Sequence, residues 1–150
     1  MNLHKCKILV CGLSGSGKTW LASRLAKVLN LPHHNADDIR RELNDWDFSR
    51  EGRFRQAKRM RDRYGILDFI CPLEEFREYV EADYIVWMDK HECEYEDTVK
   101  MFEQPIKYDL RITKWITEDQ LYRCLEDISL GMMGTKHYLI EQWLNMDKYI

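Results

Sequence analysis

The sequence predicts an α/β fold in which a mostly parallel sheet of about five strands carries helices on both faces. Short apolar runs alternate with segments whose apolar residues recur at helical spacing, which is typical of strand–helix–strand units. A glycine-rich loop joins the first apolar run to the first helical segment. The chain has 150 residues, which suits one domain over 1–150, with about 130–150 as an extra C-terminal helical segment.

The first elements surround the glycine-rich loop. Residues 5–12, KCKILVCG, form a continuous apolar run that ends in glycine, which predicts a buried parallel strand. Residues 17–30 follow with apolar side chains at helical spacing and predict the first helix. Pro32 ends that helical region, and a short second strand is expected to finish near Asn35.

The next helices are charged. Either Asp37 or Asp38 is expected to cap a helix over 38–44, because short carboxylate side chains accept hydrogen bonds from the first amides of a helix. A basic helix is predicted over about 51–63, before Gly65. The remaining elements alternate in the same way and are predicted as strand 66–72, helix 73–81, strand 83–89, strand 108–115, helix 117–129 and helix 136–146.

Charge is unevenly distributed along the chain. The net charge is −3, but residues 50–63 carry seven basic and two acidic side chains, whereas residues 64–150 carry nine basic and nineteen acidic ones. A protein that coats long nucleic acids is usually basic throughout. One basic segment in an acidic chain instead favours a small anionic ligand or a single strand end.

The composition predicts a cytoplasmic protein with no membrane contact. No apolar run approaches the length of a membrane span, and the N-terminal stretch leads directly into the glycine-rich loop, so we expect no signal peptide. The five cysteines form no CxxC pair, which favours reduced thiols over disulfides or a structural metal site.

The strongest motif is GLSGSGKT, which fits the phosphate-binding pattern G-x-x-x-x-G-K-[ST] between a strand and a helix. The motif predicts binding of ATP and Mg²⁺ but does not name the reaction, because P-loop proteins include GTPases, motor ATPases and small-molecule kinases. The sequence has no guanine-reading N-K-x-D and is short for a motor, which favours a P-loop kinase three-layer sandwich. Lys18 is expected to reach the β- and γ-phosphates as a catalytic residue, and the Thr19 hydroxyl to bind Mg²⁺. Asp89 is a weaker candidate for the acidic partner of the loop. The predicted ATP-binding residues are Gly12, Leu13, Ser14, Gly15, Ser16, Gly17, Lys18 and Thr19.

A second motif, NADDIR, follows the predicted second strand and suits a phosphate acceptor site. A kinase needs a carboxylate that orients or accepts the proton of the attacking hydroxyl near the γ-phosphate. Asp37 is our candidate for this catalytic role, with Arg40 one helical turn further on as an anion clamp. Asp38 is the adjacent alternative.

Five motifs in order, GLSGSGKT, NADDIRRELN, DFSREGR, FICP and MFEQP, resemble adenylyl-sulfate kinases, which phosphorylate the 3′-hydroxyl of adenylyl sulfate with ATP. The resemblance implies Asp37 as the catalytic carboxylate, Arg40 as its companion, Phe48 as a ring that stacks on the substrate adenine, and Arg53 as a contact of the phosphosulfate. Further acceptor-binding residues that the resemblance implies are Asp38, Gln56, Ile70 and Cys71.

The chain also departs from this pattern. Asn35 stands where the family has a first acid, Cys71 stands where it has serine, and a short acidic stretch, 90–101, replaces a lysine-rich lid. NADDIR also resembles the N-x-D-D-x-R motif of polynucleotide 5′-hydroxyl kinases, and Asn35 fits that motif better. Kinases of hydroxymethyl groups on DNA bases and a nucleotide-binding module without catalysis are further alternatives.

The expected partner is a small-molecule nucleotide, or a nucleic-acid end under the alternative reading. Trp46 and Phe48 lie in a polar loop, where a stacking role suits them. Trp20, Trp87 and Trp115 are predicted in the core. Trp143 is expected to pack the last helix or a homodimer contact.

Overall fold

The computed structural model describes residues 5–90 and 96–132. In chain order its elements are β1 (Lys7–Cys11), α1 (Lys18–Leu29), β2 (His33–Asn35), α2 (Ala36–Leu43), α3 (Arg50–Arg61), β3 (Gly65–Asp68), α4 (Glu74–Val80), β4 (Tyr84–Met88), α5 (Glu96–Met101), β5 (Leu110–Ile112) and α6 (Glu118–Met132). Within these described ranges, none of the helices combines the length and apolar character that crossing a membrane requires.

The five strands form one sheet in the order β2-β3-β1-β4-β5, and every pair is parallel. β1 therefore lies in the middle, and the glycine-rich loop that follows it leaves from the centre of the sheet. Because parallel strands end at the same edge, the segments after β1, β2 and β3 meet there. In the register of β2 on β3, Asn35 lies opposite Asp68.

Apolar side chains cover both faces of the sheet. Along β1, Ile8 and Val10 belong to one core cluster and Leu9 and Cys11 to the other, as the twofold alternation of a strand requires. The first cluster includes buried residues of α1 and α6, and the second includes residues of α2, α3 and α4. The molecule therefore has three layers, with the sheet between two helical layers.

Several boundaries differ from the prediction. β3 ends at Asp68 rather than at residue 72, because the chain leaves the sheet there and Cys71 adopts a positive φ of 45° before Pro72. β5 covers three residues. Helix α5 was not predicted, since its sequence is short and acidic. The predicted helix over 136–146 and the predicted contact of Trp143 lie outside the described residues.

The N-cap of α2 corrects the prediction for Asp37 and Asp38. Asn35 caps this helix, and its side chain accepts a hydrogen bond of 3.0 Å from the backbone amide of Asp38. The helix begins directly where β2 ends, so both acids lie in its first turn. There they interact favourably with the positive end of the helix dipole.

Candidate active site

The glycine-rich loop runs from the end of β1 to the start of α1. Gly12 has a φ of 143°, and a Cβ on this residue would lie 2.4 Å from the backbone oxygen of Met88. Gly17 caps α1 with a φ of 95°. Both positions therefore require glycine. The first amides of α1 have no partners within the helix and form a natural seat for an anion.

Two polar side chains of this loop fit an anionic ligand. The Ser16 hydroxyl is buried and has no hydrogen-bond partner among the described residues. Lys18 is buried, and its Nζ donates a hydrogen bond of 2.9 Å to the backbone oxygen of Leu13, so its charge lies within the loop. A loop of this shape, with an inward ammonium and an unsatisfied hydroxyl, suits a row of phosphates.

Next to the loop, Asp68 at the end of β3 accepts three hydrogen bonds at its Oδ2 atom. Thr19 Oγ1 donates one of 2.8 Å, Asn35 Nδ2 donates one of 3.0 Å, and His33 Nε2 lies 3.0 Å away. Asn35 also lies 3.4 Å from Thr19 through its amide nitrogen. The hydroxyl predicted to bind a metal therefore touches a carboxylate from the neighbouring strand.

Asp68 remains charged although it is buried. Burial alone would raise the pKa of Asp68, but the hydrogen bonds from His33, Asn35 and Thr19, together with the nearby charge of Lys18, hold its pKa below the ordinary value. A carboxylate fixed in its ionised form beside a hydroxyl is a suitable ligand pair for Mg²⁺.

Asp68 was not predicted from the sequence, which offered Asp89 as the acidic partner of the loop instead. In the structure, Asp89 Oδ2 accepts a hydrogen bond of 2.8 Å from Arg111 Nε, whereas Asp68 touches the loop residue Thr19. Asp68 ends the apolar run GILD, just as Asp89 follows β4, and both strands pair with β1. Only β3 also pairs with β2, which places Asp68 opposite Asn35. Which strand lies beside which is a tertiary property, so the sequence did not distinguish the two acids.

Asp37 lies where three cavities meet. The first, the loop cavity, has a volume of about 330 Å³ and is lined by phosphate-loop residues and Asp68. The second, the inner pocket, has a volume of about 40 Å³, and its lining includes Arg40 and Arg53. The third, the outer cleft, has a volume of about 960 Å³, and its lining includes Trp46 and Phe48. Asp37 lines all three, and its carboxylate is exposed. The acid is thus shared by the phosphate side and the side where Arg40, Phe48 and Arg53 lie.

The structure gathers six of the seven predicted acceptor residues in the inner pocket. They are Arg40, Phe48, Arg53, Gln56, Ile70 and Cys71. The seventh, Asp38, is not among the lining residues of any of the three cavities. It is exposed and forms an ion pair of 2.8 Å with Arg41. Its place in the acceptor site remains a prediction that the geometry does not favour.

Arg40 and Arg53 place two buried guanidinium groups around Phe48. Their Cζ atoms lie 4.7 and 5.3 Å from the centroid of the ring, and the arginines are only 4% and 8% exposed. Burial lowers the pKa of both, and for Arg40 the charges of Arg53 and Arg59 lower it further, whereas Asp45 and Asp37 oppose this. Arg40 lies 3.9 Å from a carboxylate oxygen of Asp45, whereas burial is the only influence on the pKa of Arg53, with no described carboxylate opposing it. This site therefore favours an additional anion.

The same arginines also fix the loop between α2 and α3. Arg40 Nη1 donates to the backbone oxygens of Asp45 and Asp47, at 2.8 and 3.1 Å. Arg53 Nε donates to the oxygen of Phe48 at 3.0 Å. Phe48 therefore has a defined position even though 49% of it is exposed. At the other end of Arg53, Nη2 lies 3.3 Å from the Thr98 hydroxyl of α5.

The basic helix α3 is largely neutralised by nearby acids. Arg59 and Arg55 pair with Asp45 at 2.6 and 3.3 Å, and Arg55 also pairs with Asp47. Hydrogen bonds from Arg55 and Arg59 lower the pKa of Asp45, and hydrogen bonds from Ser49 and Arg55 lower that of Asp47 to about 2. The exposed charge of the basic segment is consequently smaller than the sequence suggested.

Comparison with known proteins identifies the architecture. No protein-family model matches the sequence, and no curated protein matches it. Among solved structures, the APS kinase of Mycobacterium tuberculosis in complex with AMPPNP and APS is 20% identical, with a TM-score of 0.66 over 83% of this chain and 98% of that chain. The shikimate kinase of Aquifex aeolicus is 18% identical, with a TM-score of 0.62 over 85% and 99%. A gluconokinase of Sinorhizobium meliloti is 13% identical, with a TM-score of 0.56 over 87% and 99%.

The chain shares the α/β three-layer fold of these kinases. The predicted α/β three-layer arrangement is confirmed, and the sheet is parallel throughout. At identities of 13–20%, the similarity shows a shared fold but does not identify the molecule that accepts a phosphoryl group.

Cys71 has a packing role in this fold. Its side chain is 2% exposed, and burial raises the pKa of its thiol well above the ordinary value. Buried Arg77 donates hydrogen bonds to the backbone oxygens of Cys71 and Pro72, at 2.9 and 3.0 Å. These bonds hold the turn after β3 against the inner pocket, so a reactive thiolate is not favoured at Cys71.

Trp115 corrects another prediction. The sequence placed Trp20, Trp87 and Trp115 in the core, and Trp87 is indeed 4% exposed. Trp20 is half-buried, with Arg24 over its ring. Trp115, in contrast, is 57% exposed and lies beside the phosphate loop as part of the lining of the loop cavity. Its hydrophobicity suggested burial, but the segment after β5 brings the indole against Gly17 of the phosphate loop.

Proposed function

We propose that this protein transfers the γ-phosphoryl group of ATP to a hydroxyl group of a nucleotide, with the 3′-hydroxyl of adenylyl sulfate as the first candidate acceptor. The observation that carries the proposal is the position of Asp37. Asp37 lines both the loop cavity and the pocket of Arg40 and Arg53. A carboxylate at this junction can contact a hydroxyl that faces the γ-phosphate.

On the donor side, the loop amides and Lys18 bind the phosphates of ATP. Thr19 and Asp68 would hold Mg²⁺, because a hydroxyl and an ionised carboxylate 2.8 Å apart provide two oxygen ligands. The metal ion, when bound, neutralises negative charge on the β- and γ-phosphate oxygens. Asn35 and His33 keep Asp68 in position through its Oδ2 atom.

On the acceptor side, the hydroxyl oxygen attacks the γ-phosphorus as the bond from that phosphorus to the ADP oxygen breaks. Asp37 accepts the hydroxyl proton. Arg40 and Arg53 neutralise an anionic group of the acceptor, and the exposed ring of Phe48 stacks on its base. The sequence resemblance to adenylyl-sulfate kinases and the similar solved structure with bound APS support this choice of acceptor.

The proposal is tested with purified protein, ATP and Mg²⁺ against adenylyl sulfate, adenosine and a 5′-hydroxyl oligonucleotide, with labelled phosphate followed into product. We expect adenylyl sulfate to be phosphorylated and adenosine to react poorly, because adenosine lacks the anionic group that Arg53 would meet. Lys18→Ala is the control variant and should lose nearly all transfer. If no acceptor in the panel is phosphorylated while ATP binds, the protein is a nucleotide-binding module.

A second candidate is a polynucleotide 5′-hydroxyl kinase. The outer cleft is large, about 960 Å³, and two exposed aromatic residues line it, Trp46 and Phe48, with ring centroids 6.5 Å apart. Two aromatic rings beside arginines suit successive bases of a single strand. Phosphorylation of the oligonucleotide but not of adenylyl sulfate would select this function.

A further inference from the structure

The lining of the loop cavity includes aromatic residues that the proposed phosphate chemistry does not use. One part of its lining comes from the phosphate loop, and another comes from the acid side, around Asp37 and Asp68. The remaining lining residues are Trp20 and Trp115. Of these two, Trp20 has Arg24 over its ring, whereas the ring of Trp115 lies directly against the phosphate loop.

The edge of the Trp115 indole lies against the phosphate loop. A Cβ built on Gly17 would lie 2.9 Å from Cζ3 and 3.4 Å from Cη2 of Trp115, so the indole edge rests against this glycine. Gly17 is the N-cap of α1, where phosphates would meet the helix amides. The indole therefore begins where a nucleotide bound through its phosphates would extend out of the loop.

One face of the Trp115 ring is already occupied. Lys90 Nζ lies 2.9 Å from the ring centroid, is buried, and has no hydrogen-bond partner among the described residues. A desolvated ammonium on a π face forms a strong cation–π contact. Because Trp115 nevertheless remains 57% exposed, it is the opposite face of the indole that is available to a ligand.

We propose that the free face of Trp115 stacks on the base of the nucleoside triphosphate donor and that it recognises the presence of a base rather than its identity. This inference rests on the proposed donor role of the loop cavity. Every nucleobase has a π face, so stacking tolerates changes of base. ATP and GTP should both serve as donors, whereas inorganic triphosphate should bind through the loop alone.

The test measures donor binding by titration calorimetry with Mg²⁺ and without an acceptor, so that it does not depend on which hydroxyl is phosphorylated. ATP, GTP and inorganic triphosphate are titrated into the wild type, Trp115→Phe and Trp115→Leu. Leucine keeps apolar bulk but removes the π face, whereas phenylalanine keeps a smaller one. Unchanged triphosphate binding in each variant reports that the phosphate loop is intact.

We expect the wild type to bind ATP and GTP with similar affinity, and Trp115→Leu to weaken both by roughly 5- to 150-fold, the range that loss of one stacked base gives. Trp115→Phe should retain most of the affinity. Wild-type affinity of Trp115→Leu for ATP would overturn the proposal. So would GTP binding at least tenfold weaker than ATP binding, or parallel weakening of triphosphate. If none of the three ligands binds, both the inference and the proposed function are overturned. If the ligands bind but no acceptor is phosphorylated, only the proposed function fails, because these titrations contain no acceptor.

Discussion

At the scale of single residues, Asp37 and Asp38 are adjacent acids with different surroundings. Asp37 lines all three cavities, whereas Asp38 points to solvent and pairs with Arg41. We predict that Asp37→Asn lowers kcat by at least about 100-fold with little change in the KM for ATP, because loss of a general base has this effect. Asp38→Asn is the matched variant and should stay near the wild-type kcat.

Steady-state kinetics with the acceptor identified by the panel measure both variants. A larger loss for Asp38→Asn than for Asp37→Asn would contradict the assignment of the catalytic carboxylate. Equal and small losses would mean that orientation of the acceptor, rather than proton transfer, limits the rate, as a loose transition state permits.

Asp68 leads to a prediction about pH. Its pKa is depressed in the folded protein by hydrogen bonds from His33, Asn35 and Thr19 and by the charge of Lys18, which outweigh the effect of burial. Because the folded protein favours the ionised carboxylate, Asp68 stabilises the fold at pH values above the unfolded-state pKa of about 3.9. This stabilisation disappears as the pH falls through the folded-state pKa. We predict that Asp68→Asn costs about 1–3 kcal/mol at pH 7, as loss of charged hydrogen bonds does.

Urea unfolding at a series of pH values from 7 to 3 measures this contribution. The difference in free energy of unfolding between wild type and Asp68→Asn should be constant near neutral pH and should shrink below about pH 4, where the unfolded chain becomes protonated. A difference that persists unchanged to pH 3 would show that Asp68 stabilises by shape rather than by charge.

At the scale of elements, local signals were sufficient for β1, α1 and the loop between them. A continuous apolar run, a glycine pattern and helical spacing act within a few residues of one another, so the sequence alone predicted Lys7–Cys11 and Lys18–Leu29 closely. Arg40 could be named from its spacing to Asp37, and Phe48 from its polar loop. The other acceptor residues, Arg53, Gln56, Ile70 and Cys71, could be named only through resemblance. Their meeting in one pocket depends on α2, α3 and the turn after β3 packing together.

The missed features depend on partners distant in the chain. Asp68 matters because β3 pairs with both β1 and β2, which brings it to Thr19 and opposite Asn35. Trp115 matters because the segment after β5 passes beside the phosphate loop. Neither a strand-ending aspartate nor a loop tryptophan carries this information in its own neighbourhood.

Helix α3 shows how charge counts can mislead. The sequence suggested a basic segment that attracts anions, but Arg50 pairs with Glu75 and Arg61 with Glu81, as Arg55 and Arg59 do with acids of the preceding loop. Exposed ion pairs contribute little stability, so their main effect is to reduce the free positive charge. The buried pair Arg40 and Arg53 is then the stronger local attraction for an anion.

At the scale of the whole molecule, the carboxyl edge of the sheet links both core layers. The phosphate loop joins β1 to α1, while Asp37 begins α2 on the other face. A donor bound at this edge contacts only the folded protein, and therefore stabilises it by mass action. Thermal unfolding can consequently report donor binding in the absence of any acceptor.

We predict that Mg²⁺-ATP at 100 times its Kd stabilises the wild type by about 2.7 kcal/mol. For a chain of this size this corresponds to a rise in Tm of roughly 5–11 °C. Lys18→Ala should lose most of the rise because its ammonium lies within the phosphate loop. Asp37→Asn should keep it, since Asp37 serves the acceptor and is exposed. A wild type whose Tm does not respond to ATP would contradict the donor site itself, whereas a normal rise without phosphoryl transfer would mean that the fold binds the nucleotide and lacks only the acceptor chemistry.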